Sequence, residues 1–153
     1  MHARIDYQKV APDGVKVLGG VHSYIVQSGL DGALIELVYL RVSQINGCAY
    51  CLDLHTRDLV KKGVRLEKLA LVQVWREAGG VFDARECAAL GWAETVTRVA
   101  DTAIPDEEFK AVARVLNEKE IVDLTIAIGL MNTFNRIAIA FRRPPVASLS
   151  GAS

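Results

Sequence analysis

Asp31-Gly32-Ala33-Leu34-Ile35-Glu36-Leu37-Val38-Tyr39-Leu40, continuing through Asn46-Gly47-Cys48-Ala49-Tyr50-Cys51 to His55, is the most informative stretch of this 153-residue chain. Asp31 can cap a helix, and Asn46-Gly47 can end it. Glu36 is the lone charge between Asp31 and Arg41, amid side chains that are apolar almost all round. A helix of that composition should be buried. A buried glutamate must find a partner or take up a proton. A second helix should start near Cys48 and stop before Gly63, behind Lys61 and Lys62.

The same punctuation continues outward. Pro12-Asp13 opens a helical segment to about Gly29. Periodicity predicts a helix from Leu66 to about Glu77, ended by Gly79-Gly80. Asp83 with Glu86 reads as a capping box opening a helix to about Thr102, and Asn117 with Glu120 begins a long one to about Phe141. Pro105 suits the first turn of a short helix between them. No segment alternates as a strand, and no internal repeat is evident. The expected fold is all-α: a single-domain helical bundle of about six or seven helices. The expected division is an N-terminal extension over 1–12, a helical domain over 13–143 and a mobile C-terminal tail over 144–153.

Composition narrows the function. Eighteen basic residues balance eighteen acidic ones, which gives no electrostatic reason to expect nucleic acid or an anionic membrane as partner. A chain of this size buries roughly 70% of its unfolded surface and needs no disulfide staple. Three cysteines do not make a secreted framework. The first residues lack the apolar core of a signal peptide, and the last helix is too polar to span a bilayer. The reading is a soluble cytoplasmic protein, in which a close cysteine pair suggests catalysis or metal binding.

Cys48, Cys51 and His55 fall within a helical stripe about 60° wide. Cys48 sits at the helix start, where unpaired N–H groups favour a thiolate, and Cys51 lies one turn before His55. Lowering a thiol pKa from about 8.5 to about 6.5 raises the thiolate fraction at neutral pH roughly 25-fold. A Brønsted slope near 0.45 returns roughly 8-fold of that as lost nucleophilicity, leaving a net gain of about 3-fold. Positioning and protonation of the leaving oxygen must supply most of any rate. That is a reason to need Glu36 and His55 beside the cysteines.

Glu36, eleven intervening residues and then Cys48-x-x-Cys51-x-x-x-His55 resemble the core of the alkylhydroperoxidase D / carboxymuconolactone decarboxylase superfamily. The stretch from Ile45 to Cys51 carries the likeness most closely. It extends through Trp75-Arg76-Glu77, the segment from Ala88 to Glu94, and Leu124 to Phe141. The resemblance implies a helical fold assembled as a homo-trimer or homo-hexamer, and a cysteine-dependent peroxidase with no metal or other cofactor. It implies that Cys51 attacks peroxide, that Cys48 resolves the sulfenic acid as a disulfide, and that Glu36 and His55 relay the proton. It further implies a dithiol reductant, a lipoyl or thioredoxin-like protein. Tyr50 departs from the pattern, because the well-known peroxidases carry a second histidine there. A phenol is a poor base at neutral pH.

Two other functions fit the same residues. One is a carboxymuconolactone-type lactone decarboxylase that uses the groove without thiol chemistry. The other is a non-enzymatic oligomeric redox sensor or zinc-binding module, with Cys48, Cys51, His55 and either Cys87 or His22 as ligands. His2 and His22 show no pattern that assigns them a role in catalysis. Cys87 reads as a small core residue. The last helix reads as core plus oligomer interface.

Overall fold

The computed structural model describes residues 2–148. Among these, no residue is in a strand, and nine α-helices and three short 3₁₀ turns make up the architecture. The helices are α1 Tyr7–Val10, α2 Pro12–Gln27, α3 Gly32–Asn46, α4 Ala49–Lys61 and α5 Leu66–Leu71, followed by α6 Ala84–Thr97, α7 Val99–Thr102, α8 Asp106–Ala113 and α9 Glu118–Ala140. The all-α expectation holds. The α-helix count exceeds six or seven because α1 is an additional single turn and the predicted 83–102 helix divides into α6 and α7; the predicted 66–77 helix also divides, into α5 and a 3₁₀ segment.

The divisions have local causes. After Leu71 the backbone tightens into a 3₁₀ segment, Val72–Glu77, and leaves helical geometry at Val74 (φ −124°, ψ 29°). That bend lets Trp75 and Arg76 both reach Glu94 on α6. The 83–102 segment breaks at Arg98 (φ −100°), and the Thr102 hydroxyl turns back to donate to the Thr95 carbonyl. Both predicted capping boxes form: the Asp83 and Asn117 side chains accept from the N–H groups of Glu86 and Glu120, whose carboxylates reach back.

α3 is the hub, packing against α4, α6 and α9. One core cluster joins Ile35, Val38, Tyr39 and Val42 to Cys48, Cys51, Leu124 and Ile128. A second joins Leu37 and Leu40 to Leu59, Val72, Phe82 and Leu90. α3 thus buries apolar side chains on two opposed faces, as its composition requires. Among the described residues, polar side chains that enter the interior are paired, except the buried Thr95 hydroxyl. Glu94 accepts from Arg41, Trp75 and Arg76. Burial alone would raise its pKa, but those donors and the Arg41 charge hold the carboxyl below the ordinary glutamate range.

The α3–α4 connection is the tightest in the site. Gly47 adopts a left-handed conformation (φ 70°), and the Cys48 N–H returns to the Ser43 carbonyl at 3.0 Å, closing a Schellman-type turn. The Asn46 amide donates to Asn132 and Asn135 of α9, and the buried Asn135 donates to the Ser43 hydroxyl. This polar cluster anchors the turn to α9.

The described segments near both ends also pack. The Arg4 N–H and guanidinium donate to the Phe141 and Ala140 carbonyls at the end of α9. Val146–Ser148 form a 3₁₀ turn tied to α4 through Ala147 N–H to Asp53. Positions 149–153, the remainder of the expected tail, lie outside the described residues.

A Cβ at position 47 would meet no atom within 4 Å, so Gly47→Ala carries only the cost of the left-handed backbone. We expect about 1 kcal/mol of lost stability. Urea denaturation of the variant against the parent measures it. A neutral substitution would show that this turn does not constrain the fold.

Candidate functional site

Cys48 is the N-cap of α4, and its sulfur accepts from the Cys51 N–H at 3.3 Å. Cys51 follows one turn later, and the two form a disulfide with Cα atoms 5.3 Å apart. Both cysteines are buried, at 1% and 3% exposure. The sequence places the pair at the helix start as expected, but deeper than a groove surface.

His55 lies one further turn along α4, and Glu36 faces it from α3. The His55 Nδ1 and Glu36 Oε2 atoms are 2.7 Å apart. That contact supplies the partner a buried glutamate requires, and it leaves His55 Nε2 as the ring nitrogen available for chemistry. The Tyr39 ring packs on His55 with centroids 5.1 Å apart. Burial pushes the Tyr39 phenol well above its ordinary value of 10.0, and the negative charge of Glu36 adds to the shift.

A cavity of about 230 Å³ opens beside this pair. Cys51, Glu36, His55 and Asp58 contribute its polar edge, with Tyr7, Tyr39, Tyr50, Leu54, Met131 and Phe134 among the remaining walls. A second, larger hollow of about 400 Å³ lies on the Cys48 side, walled by Tyr50, Ala138, Arg142 and Arg143. Cys51 lines the first space and Cys48 the second. Tyr50 and Ala138 border both.

All four residues singled out from sequence therefore converge. Sequence reasoning missed Tyr39 and Tyr7 and offered His22 only as an alternative zinc ligand. His22 Nδ1 stands 3.4 Å from the Tyr39 hydroxyl, and Tyr7 arrives from the N-terminal segment. Neither His22 nor Tyr7 carries a spacing signal, since each reaches the cavity only through packing between helices distant in sequence. The four-ligand zinc set is not assembled: Cys48 and Cys51 are bonded to each other, and Cys87 packs with the second core cluster near the Phe82 carbonyl. Among the described residues, the group spaced to hold a cation is instead Glu36, His55 and Asp58, with ligand atoms within 4.8 Å of one another. No helix among the described residues is long and apolar enough to cross a membrane.

The buried Tyr39 phenol keeps its proton in the folded protein after the unfolded chain would have lost it. Stability should therefore fall as pH rises above 10.0, the ordinary tyrosine value. In an ultraviolet titration the Tyr39 phenol should ionise above its ordinary value of 10.0. The late absorbance change should shrink in Tyr39→Phe; an unchanged titration in that variant would contradict the assignment.

The chain resembles known proteins over most of its length. "Uncharacterized protein YdfG" of Bacillus subtilis (strain 168) is 36% identical over 140 residues, covering 92% of this chain and 95% of its own. The crystal structure of a protein of unknown function, ATU0492, from Agrobacterium tumefaciens superposes with a TM-score of 0.90 at 40% identity, covering 94% of this chain and 98% of that one. Alkyl hydroperoxide reductase AhpD of Koribacter versatilis (strain Ellin345) is 41% identical over 68 residues, which span 42% of this chain and 35% of that protein. The profile of the carboxymuconolactone decarboxylase family matches residues 12–95, more than half of the chain and all four convergent residues. The chain therefore belongs to the carboxymuconolactone decarboxylase family, within its alkylhydroperoxidase D-like superfamily.

Proposed function

We propose that the protein is a thiol-dependent peroxidase that cycles between a Cys48/Cys51 dithiol and a disulfide. The observation that carries this reading is the placement of Cys51, alone of the two cysteines, in the cavity that also holds the Glu36–His55 pair.

In the reduced enzyme the Cys51 thiolate attacks one oxygen of the peroxide. The O–O bond breaks, Cys51 becomes a sulfenic acid, and the departing oxygen takes a proton delivered by His55. Glu36 holds the imidazole through Nδ1 and stabilises its charged form. Cys48 then attacks the Cys51 sulfur and displaces hydroxide, which leaves as water once protonated. The disulfide forms and two electrons have passed to the peroxide. A dithiol restores both thiols. The largely apolar walls favour an organic hydroperoxide over hydrogen peroxide, because apolar surface buried on binding contributes roughly 25 cal/mol per Å².

The part-length match to an alkyl hydroperoxide reductase supports the same reading. A cytoplasmic setting fits a close cysteine pair with a catalytic role. The reading extends to a homo-trimer or homo-hexamer, supported by Val122, Ile126 and Ile139 standing exposed on α9. Light scattering that returned a monomer mass would remove that extension.

Mixing reduced protein with one equivalent of tert-butyl hydroperoxide should consume two thiols and yield the Cys48–Cys51 disulfide. Cys51→Ser should abolish the reaction. Cys48→Ser should stop at a sulfenic acid that dimedone traps. Glu36→Gln should slow the first step by about 10²-fold, the scale of lost acid–base assistance. Thiol loss no faster than for a free cysteine would end the peroxidase reading. Lactone decarboxylation that persisted after alkylation of both cysteines would replace it.

A further inference from the structure

Three donors on the polar edge of the Cys51 cavity come from two helices, which hold them more firmly than loops would. Glu36 stands on α3, and His55 and Asp58 follow one another on one face of α4, three positions apart. One ligand atom from each lies within 4.8 Å of those of the other two. The His55 residue is 6% exposed. Its Nδ1 contacts Glu36 Oε2, while its Nε2 has no hydrogen-bond partner among the described residues. Lys61 donates to Asp58 Oδ1 and leaves Oδ2 without a partner among the described residues.

The donor set and its spacing select the ion. Calcium takes roughly six to eight oxygens, so an imidazole in the set disfavours it. One imidazole and two carboxylates suit zinc, which binds nitrogen and oxygen at about 2.0–2.2 Å. Two carboxylate charges balance the dication, so it can sit beside apolar walls. Neighbouring ligands of a tetrahedral ion stand about 3.4 Å apart at those bond lengths. From 4.8 Å the donors must close by no more than about 1.4 Å. Asp58 can supply that movement, because its side chain is the least buried of the three, at 31% exposure. Neither paired sulfur is needed, since Cys48 and Cys51 are bonded to each other. Three protein ligands leave a fourth position open to the cavity that all three line.

We propose that Glu36, His55 and Asp58 form a zinc site, and that zinc bound there shuts off the thiol cycle. Binding follows from the donor geometry alone; the inhibition rests on the peroxidase reading above. Of the zinc ligands expected from sequence, only His55 belongs to this set. In the proposed cycle His55 delivers a proton to the departing oxygen while Glu36 holds its ring. Zinc takes a lone pair from each of them. A ring nitrogen bound to the metal carries no proton, and any proton it held is released to solvent. The ion also fills space beside Cys51 that the peroxide would occupy. No electron is transferred, because zinc is redox-inert, so the block is reversed by removing the metal.

Zinc titration of the disulfide form against a chromogenic chelator reads binding with the cysteine pair blocked and no peroxide present. One zinc ion per chain should bind. Asp58→Asn and His55→Ala should each weaken binding at least about 10-fold, the lower end of the loss when even an outer partner of a metal ligand is removed. Asp58→His should retain binding, since it sets another donor on the same turn. The two Asp58 variants decide the matter even where His55→Ala unfolds. Cobalt in place of zinc should show visible bands without a thiolate charge-transfer band, and Cys87→Ser should bind as the parent does. No saturable binding, an affinity unchanged in Asp58→Asn, equal losses in Asp58→Asn and Asp58→His, or dependence on Cys87 would overturn the site. Zinc added to reduced protein should slow thiol loss to tert-butyl hydroperoxide, and a chelator should restore the rate. Asp58→Asn should blunt that effect, read as the ratio of rates with and without zinc in one protein. An undiminished ratio would mean that zinc acts on the thiols directly and would overturn the inhibition. Failure of the peroxidase reading would appear separately, as slow thiol loss without zinc, and would leave the binding result standing.

Discussion

The left-handed turn at Gly47 is the constraint on which the site depends. It reverses the chain between α3 and α4 with only Gly47 and Cys48 between the helices. Three consequences follow from that economy. Cys48 becomes the N-cap of α4, α4 returns antiparallel along α3, and the carboxylate of Glu36 meets the ring of His55. A longer loop would free the angle between the helices, and with it the 2.7 Å contact. The asparagine cluster of Asn46, Asn132 and Asn135 fixes the same turn against α9, which supplies a wall of each hollow.

Glu94, which is buried, and Glu36, which is partly buried, show how similar residues are put to different ends. Glu94 is enclosed by Arg41, Trp75 and Arg76 and is saturated with donors. It ties α3, the Val72–Glu77 segment and α6 together, and breaking such a pair leaves a buried cation uncompensated. Among the described residues Glu36 has one hydrogen-bond partner, an imidazole, and both line a cavity. A permanently charged guanidinium suits a structural pair. An imidazole, with one ring nitrogen held by the carboxylate and the other left over, suits a working one.

Tyr50 occupies the position where the well-known peroxidases of the superfamily carry a histidine. It sits between the two hollows with the Arg143 guanidinium over its ring, and its hydroxyl is a poor base. The substitution exchanges a second titrating group for a partition. In the proposed cycle proton handling then falls to Glu36 and His55, while the two cysteines line different spaces.

Much of this was legible in the sequence, for reasons that are local. Helix starts and stops announce themselves through Asp31, Asp83, Asn117 and Gly47, because caps are interactions within three or four residues. The stripe of Cys48, Cys51 and His55 follows from the helical repeat, and the burial of Glu36 from its apolar neighbours. The breaks at Val74 and Arg98 were not legible, since Trp75 and Arg76 bend toward a carboxylate on another helix. His22, Tyr7 and Arg143 were equally silent: each reaches the site across a long span of chain, and no local rule encodes such a meeting. The sequence by itself determined most of the helices and the stripe of Cys48, Cys51 and His55 along one of them. Only the tertiary structure decided that Cys51 and Cys48 border separate spaces, because that depends on where α9 and the two ends of the chain come to rest against α4.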